Sequence, residues 1–239
     1  MTGLRRVLRR VDRDAREDGL GLPELMVTMM LLGLVTILVV TLFSSVTSAF
    51  TRDRAATDSA NIASIGMNEL TRVIRSGTEV PQASSDENRP VFLVANREVL
   101  EMHAYLDTNA ADPRPVKVRF EVAGNRDLVE RRWNAVAGSG PNWTFSGGPT
   151  TPASSRVIAR KITPGLATPV FQYYDSTAPG ALPLVVPAAG LNETQRRSIV
   201  RVEVTLSVQA DLTQRAQPVV LTNEVGIPNK LDVVGAGGP

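Results

Sequence analysis

From Leu25 to Thr51 the chain carries 27 residues without a charge, and Leu25 to Phe43 is dense in Leu, Val, Met and Ile. At 1.5 Å per residue, an apolar helix of about 20 residues covers a hydrocarbon layer about 30 Å thick. The run therefore predicts a helix able to cross a membrane once. Past Arg52 the pattern changes to a one-sided helical period. Ile62, Ile65, Gly66, Leu70, Val73 and Ile74 fall near one face of residues 52–76, with Arg54, Asp58, Glu69, Arg72 and Arg75 mostly elsewhere. Ser76-Gly77 gives a stop and Pro81 follows. Joined, the two patterns predict one helix from about Pro23 to Ser76, apolar all round in its first half and along one stripe in its second.

Beyond the polar loop at 81–90 the period drops to two. In VKVRFEV, Val116, Val118, Phe120 and Val122 alternate with Lys117, Arg119 and Glu121, as in a half-buried strand. Gly124-Asn125 supplies a turn into LVERRW, the expected hairpin partner. VRVEVTLSV places Val200, Val202, Val204, Leu206 and Val208 on one side. VFLVA, EVLEMHAYL, RVIARKI, PVFQYYD and PVVLTNEV read as further strands. Residues 135–155, rich in Gly, Pro and Ser, read as a long mobile loop, and the tail VGAGGP as disordered. A helix followed by antiparallel strands makes the fold class α+β, with the sheet laid on the helix's apolar stripe.

Charge adds an orientation. Residues 1–19 hold six arginines and four acids; the whole chain has 26 basic and 24 acidic residues, so the remainder is balanced at 20 and 20. A basic flank before an apolar span stays in the cytoplasm, which sends residues beyond Arg52 outward. The balance of that remainder argues against a broad nucleic-acid surface. The chain has no cysteine, which excludes disulfides, thiolate metal sites and a cysteine nucleophile.

Three fates of the span compete. It can remain as an uncleaved signal anchor, holding an extracellular binding module. It can be a cleavable signal cut after Thr47-Ser48-Ala49, although the apolar region exceeds the usual ~7–15 residues and the acids of DREDG do not suit such a signal. The third fate explains Glu24, which interrupts the approach to the apolar run. The stretch GLGLPELMVTMMLLGLV, led by a short arginine-rich segment, resembles the N-terminus of type IV pilin-like prepilins.

That resemblance implies cleavage by prepilin peptidase between Gly19 and Leu20, with possible methylation of the new Leu20 amine. Glu24 becomes the fifth residue of the mature chain, and Leu20 stands where phenylalanine is commoner. It also implies that Glu24 meets the amine of a neighbouring subunit as helices stack in a filament, with Pro23 in the first helical turn. The expected divisions are a leader at 1–19, a membrane and filament-packing half of the helix at 20–51, an amphipathic half at 52–77, an exported β-rich domain at 78–232 and a tail at 233–239. Within the class, MNELTRVIRSG, the hairpin VRFEVAGNRDLVERRW, FQYYD and SIVRVEVTLSV resemble J-type minor pseudopilins and W-type minor pilins. The implied partners are prepilin peptidase, other pilin or pseudopilin subunits and inner-membrane lipid; the implied place is the inner membrane, then a pilus or secretion pseudopilus.

Little in the chain points to catalysis, and the expectation is a protein that is not an enzyme and needs no cofactor. The one histidine, His103, alternates with Glu101 and Tyr105 and reads as a solvated or half-buried strand residue; a secreted hydrolase released after Ala49 would need it or a carboxylate pair in a pocket. No G-x-S-x-G, Walker loop or dinucleotide fingerprint occurs. Asp107, Asn109 and Asp112 offer oxygens, and some secretion pseudopilins bind calcium, but the spacing is that of a polar turn, so no metal site is expected. The arginine pairs 131–132 and 196–197, with Tyr173 and Tyr174, could be assembled into a DNA-binding patch; they read instead as solvated strand faces.

Overall fold

The computed structural model describes residues 21–82, 87–106, 113–136, 138–148, 150–163, 168–210 and 216–229. Its elements are α1 (Leu22–Arg75), β1 (Phe92–Ala95), β2 (Val99–Ala104), β3 (Val116–Val122), β4 (Leu128–Asn134), β5 (Ser154–Ala159), β6 (Phe171–Tyr174), α2 (Glu193–Ser198), β7 (Arg201–Val208) and β8 (Val219–Gly226). The class is α+β. The chain divides into two compact units, residues 1–50 and 51–239.

In the first unit the described residues form the N-terminal part of α1, 54 residues long in all. Pro23 sits in the first turn, where its missing N–H leaves no bond unmade. The side chains that follow are exposed on every face of the helix: Leu22, Met26, Leu32, Leu38 and Phe43 are among them, Phe43 at 73%.

In the second unit the end of α1 is a core element. Ser59, Ala63, Gly66, Met67, Leu70, Val73 and Ile74 are buried. The expected stripe holds at Gly66, Leu70, Val73 and Ile74, but Ile65 lies outside it, 66% exposed. The reason is register: steps of three and four from Ser59 pass through Ala63, Gly66 or Met67 and Leu70, leaving Ile65 on a flank. Gly66 marks the closest approach. A Cβ there would lie 2.9 Å from the Ala159 Cβ and 3.3 Å from the Leu206 Cδ1.

Two antiparallel sheets complete this unit, one in the order β1-β2-β3-β4-β5 and one in the order β6-β7-β8. The β3–β4 hairpin runs in register from Val116 opposite Asn134 to Val122 opposite Leu128. Its turn closes through Arg126 N–H to the Ala123 carbonyl and Ala123 N–H to the Asp127 carbonyl, with Arg126 at φ +63°. A bridge from Ile162 to Val208 joins the sheets. Phe92, Leu100, Phe120, Leu128, Phe171 and Val204 fill one continuous core with the α1 stripe. β7 buries Val202, Val204, Leu206 and Val208 as expected, whereas Val200 precedes the strand and is half-buried; Thr205 and Ser207 on its other face are buried too.

Residues 135–155 differ from the mobile loop expected. Ala135 bridges Phe145, Val136 N–H donates to the Thr144 carbonyl, and Ser146 N–H donates to the Asn134 carbonyl. The Trp133 indole donates to the Gly148 carbonyl at 2.9 Å. Ser154 and Ser155 already belong to β5. A second difference is α2, which holds Arg196 and Arg197 where a strand face was expected. Asn192 caps it: its side chain accepts from Gln195 N–H, and the Gln195 side chain accepts from Asn192 N–H.

Candidate functional site

The first candidate is the threshold of α1. The Gly21 carbonyl accepts from the N–H groups of Glu24 and Leu25, at 2.9 and 3.0 Å, so helical bonding begins one residue before α1 itself. Glu24 lies in the first turn, where a carboxylate complements the positive end of the helix dipole. Its side chain is exposed, and the next charge along the chain is Arg52. Four of the hydroxyls met on the way are turned inward: Thr28 donates to the Leu25 carbonyl, Thr36 to Leu32, Thr41 to Ile37 and Ser48 to Ser44. Each bond satisfies a polar group that would be costly to expose to hydrocarbon. The helix is long and apolar enough to cross a membrane. Gly19 and Leu20 lie outside the described residues, as do the other leader residues, Asp107, Asn109 and Asp112, and the tail 233–239.

The second unit carries an ionic cluster that joins α1 to the larger sheet. Glu69 pairs with Arg72 at 2.6 Å, with Arg132 at 2.9 Å and with Arg156. Glu130, fully buried as a side chain, pairs with Arg132 and, at 2.6 Å, with Arg156. Burial pushes the Glu69 carboxyl up, but the hydrogen bond from Arg72 and the charges of Arg156, Arg72 and Arg132 outweigh it and hold the pKa below the ordinary carboxylate value. Sequence alone gives no notice of this cluster, because Glu69 meets Arg132 and Arg156 across separations of 63 and 87 residues.

His103 is neither solvated nor half-buried; it is 1% exposed. Its ring stacks on Phe145 with centroids 5.2 Å apart, and Nδ1 lies 3.2 Å from the Pro90 carbonyl. A carbonyl only accepts, so Nδ1 carries the proton in the neutral ring. Desolvation drives its pKa down to about 4; the bond to Pro90 opposes the shift, and the charges of Arg89 and Lys117 add to it.

The residues of the possible DNA patch are dispersed. Arg131 pairs with Glu121 at 2.8 Å and Arg132 belongs to the ionic cluster. Arg196 and Arg197 are on α2, not on a strand, and Arg197 pairs with Glu193. Tyr173 is fully buried, with its hydroxyl donating to the Asn96 carbonyl at 2.8 Å; burial raises its pKa well above the usual phenol value. Tyr174 lies under the Arg201 guanidinium at 4.2 Å. Among the described residues no group of three His, Asp or Glu side chains could hold a metal ion. No protein-family model matches the chain, and a search of curated proteins finds no significant match.

Proposed function

We propose that this chain is a minor pilin-like subunit, cut after Gly19 by prepilin peptidase and assembled through its N-terminal helix into a type IV pilus or a secretion pseudopilus, at or near the tip. One observation carries the reading. Between Asp18 and Arg52 the only charged side chain is Glu24, five residues after Gly19 and in the first turn of a long helix whose following apolar side chains are exposed on all faces.

Cleavage after Gly19 creates a positive α-amine four residues before Glu24. A carboxylate moved into lipid costs about 2.5–3.5 kcal/mol at a helix centre and less near the interface. The amine of a neighbouring subunit offsets that cost at one particular stagger of the two helices, so the pair sets register while the apolar side chains supply adhesion. The exported unit then presents its loops to cargo or to other tip subunits. Its likeness to J-type pseudopilins and W-type pilins rests on short stretches of common residue types and is the finest part of the proposal.

The test is intact-mass and N-terminal analysis of the protein from its native membrane, with and without prepilin peptidase. A chain beginning at Leu20, dependent on the peptidase, is the expected result. A chain beginning at Phe50 would make it a secreted product, and one retaining Arg5 to Arg16 a plain membrane anchor; either overturns the reading. Glu24→Ala should insert and be cleaved normally yet enter filaments poorly, measured by the fraction of subunit recovered in sheared filaments.

A further inference from the structure

We propose that the outer edge of β5 and the flank of α1 beside it form a docking groove for an extended acidic segment of a partner protein, added as a sixth strand to the larger sheet. β5 ends that sheet: β4 pairs with one of its edges, and among the described residues no strand pairs with the other. Ser154, Ser155, Arg156 and Val157 are all exposed. Beside them lies a groove of about 340 Å³, walled by Ile65, Asn68, Glu69 and Arg72 from the helix and by Arg156, Val157 and Ile158 from the strand.

An open strand edge is a template for main-chain pairing, and proteins usually blunt one with an outward lysine, a proline or a covering segment. Here the only charge on Ser154–Val157 is Arg156, and its guanidinium is drawn over the sheet by Glu130 and Glu69. The edge is therefore left with Val157, 43% exposed, which lines the groove together with Ile65, 66% exposed.

The partner's chemistry follows from the two faces of β5. Successive side chains of a strand point to opposite faces, and an added strand shares those faces. On the Arg156 face, the guanidinium groups of Arg72, Arg132 and Arg156 face the carboxylates of Glu69 and Glu130, leaving one positive charge in surplus. The side chains of Arg72 and Arg156 are half exposed, at 51% and 52%. An incoming residue on that face is best acidic. On the Val157 face it is best apolar. The groove thus selects an extended segment that alternates acidic and apolar residues. This inference stands independently of the pilin reading, because every residue it uses belongs to the unit beginning at Thr51.

The test uses the full-length protein in detergent micelles and two fluorescent ten-residue peptides, one alternating Val with Glu and one alternating Val with Lys. Both are N-methylated on alternate amides so that they pair along one edge only. Fluorescence anisotropy should show the Val/Glu peptide binding at least tenfold more tightly than the Val/Lys peptide, and hydrogen exchange should slow at Ser154–Val157. Val157→Lys should weaken the Val/Glu peptide at least tenfold with Trp133 emission unchanged, which separates loss of the edge from loss of the fold. Arg72→Glu should reverse the order of the two peptides. Equal binding of both peptides, or protection elsewhere than Ser154–Val157, overturns the proposal. Protection of Ser154–Val157 that rises with protein concentration in the absence of peptide also overturns it, and assigns the edge to a second copy of the chain.

Discussion

His103 should make the unit beginning at Thr51 sensitive to acid at pH values above those where ordinary carboxylates titrate. The ring is buried under Phe145, bonded through Nδ1 to the Pro90 carbonyl, and faced by the cations Arg89 and Lys117. It is held neutral, with a pKa of about 4 against an ordinary value of about 6.5. A depressed pKa means that the unfolded chain binds the proton more readily. The neutral ring's contribution is therefore complete above about pH 6.5 and is lost as pH falls toward 4. Between pH 7.5 and 5.5 the linkage relation gives a loss on the order of 1 kcal/mol, which grows further as pH falls toward 4. The chain has no other histidine, and ordinary carboxylates titrate below pH 5, so nearly all of the change above pH 5.5 belongs to this one residue. Urea denaturation of the protein in micelles, followed by tryptophan emission, measures it; Trp133 is buried and reports the unfolding of this unit. His103→Gln should be less stable at pH 7.5 but should show almost no change between the two pH values. A midpoint identical at pH 7.5 and 5.5 in the parent, or a slope that survives in His103→Gln, would refute the reasoning.

Three further outcomes follow from packing and capping. Gly66→Val places branched carbons where Ala159 and Leu206 already sit at 2.9 and 3.3 Å from a Cβ, and overpacking of that kind should cost about 1–3 kcal/mol in the same urea assay. Tyr173→Phe removes the buried donor to the Asn96 carbonyl and should cost about 1 kcal/mol, read as a lower melting temperature by near-ultraviolet circular dichroism. Asn192→Ala breaks both bonds of the α2 capping box; a loss of about 1 kcal/mol and faster hydrogen exchange at Gln195 are the expected signs.

What could be read from the sequence was what a single period dictates. The change from all-round to one-sided apolarity near Arg52 gave α1, and the alternation of VKVRFEV with its Gly124-Asn125 turn gave the β3–β4 hairpin. The failures arise where a second element covers a face that alternation would leave wet. β2 shows Met102, His103 and Ala104 buried in succession, because Phe145 arrives from more than 40 residues away to close over the histidine. Thr205 and Ser207 of β7 are covered in the same way, the second by contact with Thr163. The ionic cluster and the β5 groove have no local signature at all, since they are made by the return of β4 and β5 to α1. For α2 a signal existed: Asn192 followed three residues later by Gln195 fits a capping box, although six residues are too few for a clear period. For the threshold of α1 the reverse holds. Pro23 and the apolar run already mark the start of the helix in the sequence, because a long uncharged run forms a helix without help from any other element.

The length of the uncharged run bears on when Glu24 matters. From Leu25 to Thr51 there are 27 residues, which as helix extend about 40 Å against a hydrocarbon layer of about 30 Å. With Arg52 kept at one interface, an untilted helix leaves Glu24 about 10 Å beyond the hydrocarbon on the opposite side, among headgroups and water, where a carboxylate carries little penalty. A lone subunit therefore has no electrostatic reason to need a partner for Glu24. The penalty arises only when the helix is drawn outward into a packed bundle of apolar helices, as the proposed assembly requires, and there the amine of a neighbour is the compensating charge. The two parts of the reading separate in experiment. Glu24→Gln should leave the membrane-inserted fraction unchanged in vesicles, because insertion never buries the carboxylate, while lowering recovery in filaments. If Glu24→Gln instead raised the inserted fraction severalfold, the carboxylate would lie within the hydrocarbon already, and its role would be one of membrane depth and not of subunit register.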